Sequence, residues 1–173
     1  LYGGDAPLAE RRAQALAVDQ AQLRDIIGEA ELRELLDAES MSTVEREIQR
    51  LDPRFHARSA DAVHDMLLSV GDLSRDEIAA RTVSADVAGS ADDLVKQGRA
   101  LVLPIGGDQR YVAVEDAARY RDALGITLPF GLPAALLGAA ADPLANLIRR
   151  YARTHAPFTS ADLASRFGLP LAA

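Results

Sequence analysis

Leu73-Ser74-Arg75-Asp76-Glu77-Ile78-Ala79-Ala80-Arg81 decides how this chain folds, because it recurs 85 residues later as Phe158-Thr159-Ser160-Ala161-Asp162-Leu163-Ala164-Ser165-Arg166. Each copy reads as an apolar residue, a hydroxyl cap, two variable positions, an acid, an aliphatic, Ala, a small residue and Arg. The hydroxyl satisfies orphan amides at a helix start, and the acid at N3 closes a capping box and favours the helix dipole. An aliphatic residue followed by Ala lets the short helix pack closely on the one before it. The preceding helices fall in the same register, with Val63 on Ile148. A period of this length marks a repeated supersecondary unit, here the first helices of a helix-turn-helix.

Working outward, Ala62, Val63, Met66, Leu67 and Val70 predict a helix from Ser59 to Gly71. A third helix is predicted over Ala88 to Gln97, with Gly98 as its cap. Two β-rich runs, 100–105 and 109–114, flank Gly106-Gly107-Asp108 and predict a hairpin. Glu115 to Leu124 returns to helix. Three helices followed by a hairpin is the order of a winged helix. The apolar stretch Ile126 to Pro133 is expected to pack on that unit. Asp142-Pro143 then opens a helix to about His155, and Thr159 another through Arg166.

Before the winged helix, apolar spacing predicts a helix from Leu8 to Gly28 and a second over Glu29 to Asp37. A third is expected from Ser42 to Leu51, with Ser42 and Glu45 as a capping box. The fold class is therefore mainly α. A helical unit (1–57) precedes a winged-helix-like unit with a β hairpin (58–133), and the first helices of a second winged-helix-like unit follow (134–173). The chain starts at Leu1 and reaches Ala173 before a second recognition helix, so it reads as a segment of something longer.

The 173 residues carry a net charge of −7 and no Cys, which excludes a disulfide framework and thiolate metal sites. No stretch is long and apolar enough to span a bilayer, and no secretory signal opens the chain, so no membrane partner is expected. The charge is uneven. Residues 1–125 hold 24 acids and 15 bases, −9, whereas 126–173 hold 2 acids and 4 bases, +2. That balance argues against a general nucleic-acid sponge and makes any strand contact local.

No Gly-x-x-x-x-Gly-Lys-Ser/Thr loop or Asp-Glu box is present, so no cofactor is expected in this chain. His56, His64 and His155 lack a ligand at i+4 and read as surface or capping residues. Asp92-Asp93 and the Glu29–Glu34 cluster read as solvated helix faces. Gln20-Ala21-Gln22 is similar to the Gln-x-Gln pair of some winged-helix DNA glycosylases, but it sits mid-helix away from any indicated pocket. Two places offer nucleic-acid contacts. At the wing tip, Arg110 can meet a phosphate and Tyr111 can stack. Arg149, Arg150 and Arg153 form the basic cluster of the tail, with Arg149 and Arg153 four apart on one face. The predicted recognition helix carries Asp92 and Asp93 against Lys96, which opposes insertion into a major groove.

Four stretches carry a family resemblance: Leu1-Tyr2-Gly3-Gly4-Asp5-Ala6-Pro7-Leu8 onward to Leu16, Glu31-Leu32-Arg33-Glu34-Leu35-Leu36-Asp37, Ala118-Arg119-Tyr120-Arg121-Asp122-Ala123-Leu124-Gly125, and Arg150-Tyr151-Ala152-Arg153-Thr154-His155-Ala156-Pro157-Phe158-Thr159. The chain resembles the region after the motor core of actinobacterial large helicase-related (Lhr) proteins. The resemblance implies an accessory segment of a cytoplasmic, ATP-dependent superfamily 2 helicase that moves 3′ to 5′, unwinds DNA and RNA:DNA duplexes and serves DNA repair. ATP and Mg would sit in the parent's motor lobes, and no catalytic residue carries over to this chain. The implied partners are single-stranded DNA or RNA and those motor lobes. The family's base-stacking Trp has no counterpart, since the chain has no Trp. The acidic recognition helix supports an alternative, a winged-helix scaffold for protein partners without nucleic-acid contact.

Overall fold

A computed structural model describes residues 38–155 and 157–170. The chain separates into two compact units, 1–41 and 42–173. The helices expected over Leu8–Gly28 and Glu29–Asp37, and Gln20-Ala21-Gln22, lie outside the described residues. The described elements are helices α1 (Ala38–Ile48), α2 (Ala60–Val70), α3 (Arg75–Ala79) and α4 (Ala85–Lys96), strands β1 (Ala100–Ile105) and β2 (Asp108–Ala113), and helices α5 (Ala117–Leu124), α6 (Pro143–Thr154) and α7 (Ser160–Phe167).

The caps explain most of these boundaries. Ser59 accepts from Ala62 N at the start of α2, and Gly71 ends that helix at φ 111°. Both copies of the repeat form complete capping boxes, Ser74 with Glu77 before α3 and Thr159 with Asp162 before α7. The recognition-position helix α4 starts three residues earlier than expected, because Ser84 accepts from Val87 N. Ser42 lies within α1 (Ala38–Ile48) instead of capping it.

The strands pair antiparallel, with Leu101 opposite Val112, Leu103 opposite Arg110 and Ile105 opposite Asp108. Gly106 (φ 60°) and Gly107 (φ 89°) form the two-residue turn, whose positive φ values suit the strand twist. Leu73, just ahead of α3, exchanges both backbone hydrogen bonds with Tyr111 and supplies the short third partner of the wing.

Side chains alternate across the hairpin, so it serves two cores. Ala100, Tyr111 and Ala113 face the first, with Val63, Met66, Leu67 and Val70 of α2, Ile78 of α3, and Ala91 and Leu94 of α4. Leu101, Leu103, Ile105 and Val112 face the second, with Ala117 and Tyr120 of α5, Leu147 of α6 and Phe167 of α7. Ile126, Leu128 and Leu132 pack against the second core, whereas Phe130 in the same stretch is fully exposed.

The expected division at 57/58 is not where the compact unit begins. Ala57 N donates to Arg81 O, and Val83 N to Ala57 O, which ties the segment before α2 to the loop after α3. Gln49 joins them, because Arg81 donates to its backbone and side-chain oxygens at 2.8 and 2.7 Å. Nor are 134–173 a separate body, since α6 and α7 complete the second core.

Candidate nucleic-acid interface

Only part of the predicted arginine set is at the surface. On α6 the buried stripe is Leu147, Arg150 and Thr154, spaced i, i+3 and i+7. Arg150 therefore points inward while Arg149 and Arg153 point out. Arg150 forms an ion pair with Asp116 and donates to Tyr120 Oη at 2.8 Å. Its guanidinium carbon lies 5.7 Å from the Tyr120 ring centroid. Burial opposes the Arg150 charge, but Tyr120 and Asp116 more than offset it, so its pKa is raised.

Tyr120 extends this network. Its hydroxyl donates to Asp72 Oδ1 at 3.0 Å and accepts from Asp72 N at 2.9 Å. Complete burial, with Asp72 beside it, pushes the phenol pKa well up. Asp72 Oδ2 receives Arg110 Nη1 at 2.9 Å and Arg166 Nε at 3.0 Å. Arg166 also pairs with Glu77 at 2.6 Å. A carboxylate this buried is tolerated because two guanidiniums and a phenol satisfy it. A small cavity of about 10 Å³ lies beside the network, lined by Asp72, Tyr120, Arg150, His155 and Arg166 among others.

The wing-tip candidates are therefore corrected. The Arg110 side chain is 8% exposed and held by Asp72 and Asp108, on the hairpin face that meets the second core. Tyr111 is 5% exposed, and its hydroxyl donates to Asp92 Oδ1 at 2.6 Å and accepts from Arg75. Asp92 is thus not simply solvated, since Arg75 grips both its oxygens at 2.8 and 2.9 Å. The turn is closed on its Gly106 side only. A Cβ on Gly106 would lie 2.9 Å from Ser165 O and closer still to Arg166 O at the end of α7. Arg110, Tyr111 and Arg150 are built into the interior and offer no surface to a strand.

Arg149 and Arg153 remain, both exposed and one helical turn apart. Arg149 Nη1 reaches the neutral Asn146 Oδ1 at 3.5 Å. Among the described residues, neither forms an ion pair. Most other surface cations are engaged: Arg54 with Glu47 and Asp52, Arg75 with Asp92, Lys96 with Asp93, Arg99 with Asp61 and Arg121 with Asp122.

Of the histidines, His56 and His155 occupy C-cap positions, as expected, and His64 departs from expectation. His64 is buried and its Nε2 lies 3.1 Å from Glu115 Oε2. His155 stacks on Tyr151 with ring centroids 3.6 Å apart, and burial lowers its pKa. Among the described residues, no cluster of His and acids could hold a metal ion, and no helix is long and apolar enough to cross a membrane.

Three helices, a short pairing segment and a two-stranded wing define a winged-helix domain, here with a second helix pair packed on the wing. The winged-helix domain of large helicase-related proteins matches residues 34–139, and the chain belongs to that family. It is 44% identical over 98% of its length to the "Lhr helicase/ probable uracil glycosylase" of Mycolicibacterium smegmatis. It is 39% identical over 99% of its length to the "Lhr helicase/uracil glycosylase" of Escherichia coli. The chain spans about 11% of the length of each of these relatives.

Proposed function

We propose that this chain is an accessory, strand-guiding part of an ATP-dependent 3′-to-5′ helicase acting in DNA repair, with Arg149 and Arg153 as its phosphate contacts. The observation that supports this is their exposure on one face of α6 without a carboxylate partner, where Arg presents donors suited to phosphate. Single-stranded DNA or RNA would pass along that face. The buried Asp72 network would keep α6 fixed against the winged helix while the motor lobes move. In this reading ATP and Mg belong to those lobes. The uracil glycosylase named for the relatives would likewise be a property of the whole parent, and no described residue is assigned to it.

The test is Arg149→Ala/Arg153→Ala in the full-length parent. Duplex unwinding should fall more than strand-stimulated ATPase. Equal rates of unwinding for variant and wild type would sink the assignment.

A second reading, a scaffold for protein partners, is favoured by the acidic α4, whose Asp86, Asp92 and Asp93 oppose insertion into a major groove. Titrating the parent with labelled single strand at low salt discriminates the two. An affinity unchanged by the double substitution favours the scaffold.

A further inference from the structure

One large apolar side chain stands clear of the protein. Phe130 is fully exposed, whereas Val44, the next among the described residues, is 52% exposed. The surrounding chain holds it there. Ile126, Leu128 and Leu132 on either side pack against the second core and anchor the segment. Pro129 fixes the backbone before the ring, and Gly131, at φ 91°, turns it after. The ring borders an open cleft of about 490 Å³, whose lining includes Arg121, Thr127, Leu128 and Leu137.

The charges around this cleft bear on what it can receive. Residues 123–141 contain no charged side chain. Asp122 is engaged by Arg121 and by the Ala140 amide. Arg121 also donates to Leu137 O at 3.0 Å, Asn146 donates to Ala141 O at 2.7 Å, and Arg149 reaches Asn146. These bonds link the cleft to the outward face of α6, where Arg149 and Arg153 lack a carboxylate partner. The other acid along that path is Asp142.

We propose that Phe130 is a stacking platform for an unpaired base of the single strand whose phosphates meet Arg149 and Arg153, and that the cleft beside the ring receives that base. This rests on the strand-guiding reading above and adds a base contact to its phosphate contacts. A single strand alternates phosphates with flat base faces, so it uses cations and an exposed ring on one linked surface. An uncharged protein surface would use the ring but not the two arginines. Stacking tolerates any base, so the contact selects for unpaired bases rather than for sequence.

Binding of the full-length parent to a labelled single-stranded DNA, and to an abasic strand of equal length, tests this. Phe130→Ala should weaken binding to the base-bearing strand about tenfold. Its affinity for the abasic strand should equal that of wild type, and its salt dependence should not change, because no phosphate contact is lost. Phe130→Trp should bind as wild type does. Unchanged affinity of Phe130→Ala for the base-bearing strand would overturn the proposal and leave the ring to a protein surface. Equal losses on both strands, or weak binding by Phe130→Trp, would also overturn it. Failure of the phosphate reading looks different: Arg149→Ala/Arg153→Ala would then bind both strands as wild type does, while Phe130→Ala would still distinguish them.

Discussion

Arg166 Nη1 lies 2.6 Å from Glu77 Oε1, so the last residue of one repeat copy is bound to the capping acid of the other. The equivalent Arg81 reaches back instead to Gln49 and to Glu77 O. Two arginines in the same sequence position thus tie successive units together, and Glu77 receives both. Arg166 also holds Asp72, which places the second helix pair and the wing around a single buried carboxylate.

Asp72→Ala should be among the most damaging single changes. It leaves Arg110 and Arg166 without their shared acceptor inside the protein. Removing one partner of a buried charge pair costs about 3–5 kcal/mol. Chemical denaturation should show a loss of that size, and a loss under about 1 kcal/mol would mean that the network contributes little.

Neighbouring arginines on α6 should separate cleanly. Arg150→Ala breaks buried bonds to Asp116 and Tyr120 and should destabilise by about 3–5 kcal/mol. Arg149→Ala and Arg153→Ala remove exposed side chains and should stay within about 0.5 kcal/mol of wild type. Thermal melts of the three variants check this, and similar losses for all three would contradict the assignment of inward and outward faces.

Much of this architecture is legible in the sequence, because it rests on local chemistry. Ser74 with Glu77 and Thr159 with Asp162 announce their helices, and Gly106-Gly107 announces the hairpin. Ser84 was an available cap signal that would have set the start of α4 correctly. The fate of the arginines is not local. Arg150 lies three residues from Leu147, but only the fold brings Asp116 beside it, 34 residues away in sequence. Arg110 meets Asp72 across 38 residues for the same reason. Burial of a charged side chain depends on long-range partners, so a basic cluster read from sequence overcounts the surface.

The two turn glycines should differ. Both have positive φ, but a Cβ at Gly106 meets backbone carbonyls of α7 whereas Gly107 faces open space. Gly106→Ala should cost about 1–3 kcal/mol more than Gly107→Ala in denaturant, because α7 must shift to admit the methyl. Equal costs would show that the turn and α7 are not tightly packed.

Acid should weaken the fold in two stages. Burial holds the pKa of His155 below its ordinary 6.5, so the neutral form belongs to the folded state. Its contribution is complete above 6.5 and declines as pH falls through the lowered folded value. Glu77 follows at lower pH. Burial opposes its charge, but the Arg166 hydrogen bond and Ser74 amide win, and the folded pKa lies below the ordinary 4.5. Its contribution is present above that value and disappears as pH falls through the folded one. Denaturation from pH 7 downward checks the order, and His155→Gln should flatten the first stage.

The salt dependence of single-strand binding by the full-length parent tests the central claim most directly. Each phosphate contact on a single strand contributes about 0.7 to the slope of log affinity against log salt. The Arg149→Ala/Arg153→Ala variant should bind more weakly at low salt, with a slope shallower by about 1.4, the value for two lost phosphate contacts. An unchanged slope and affinity would contradict the account and remove α6 from the path of the strand.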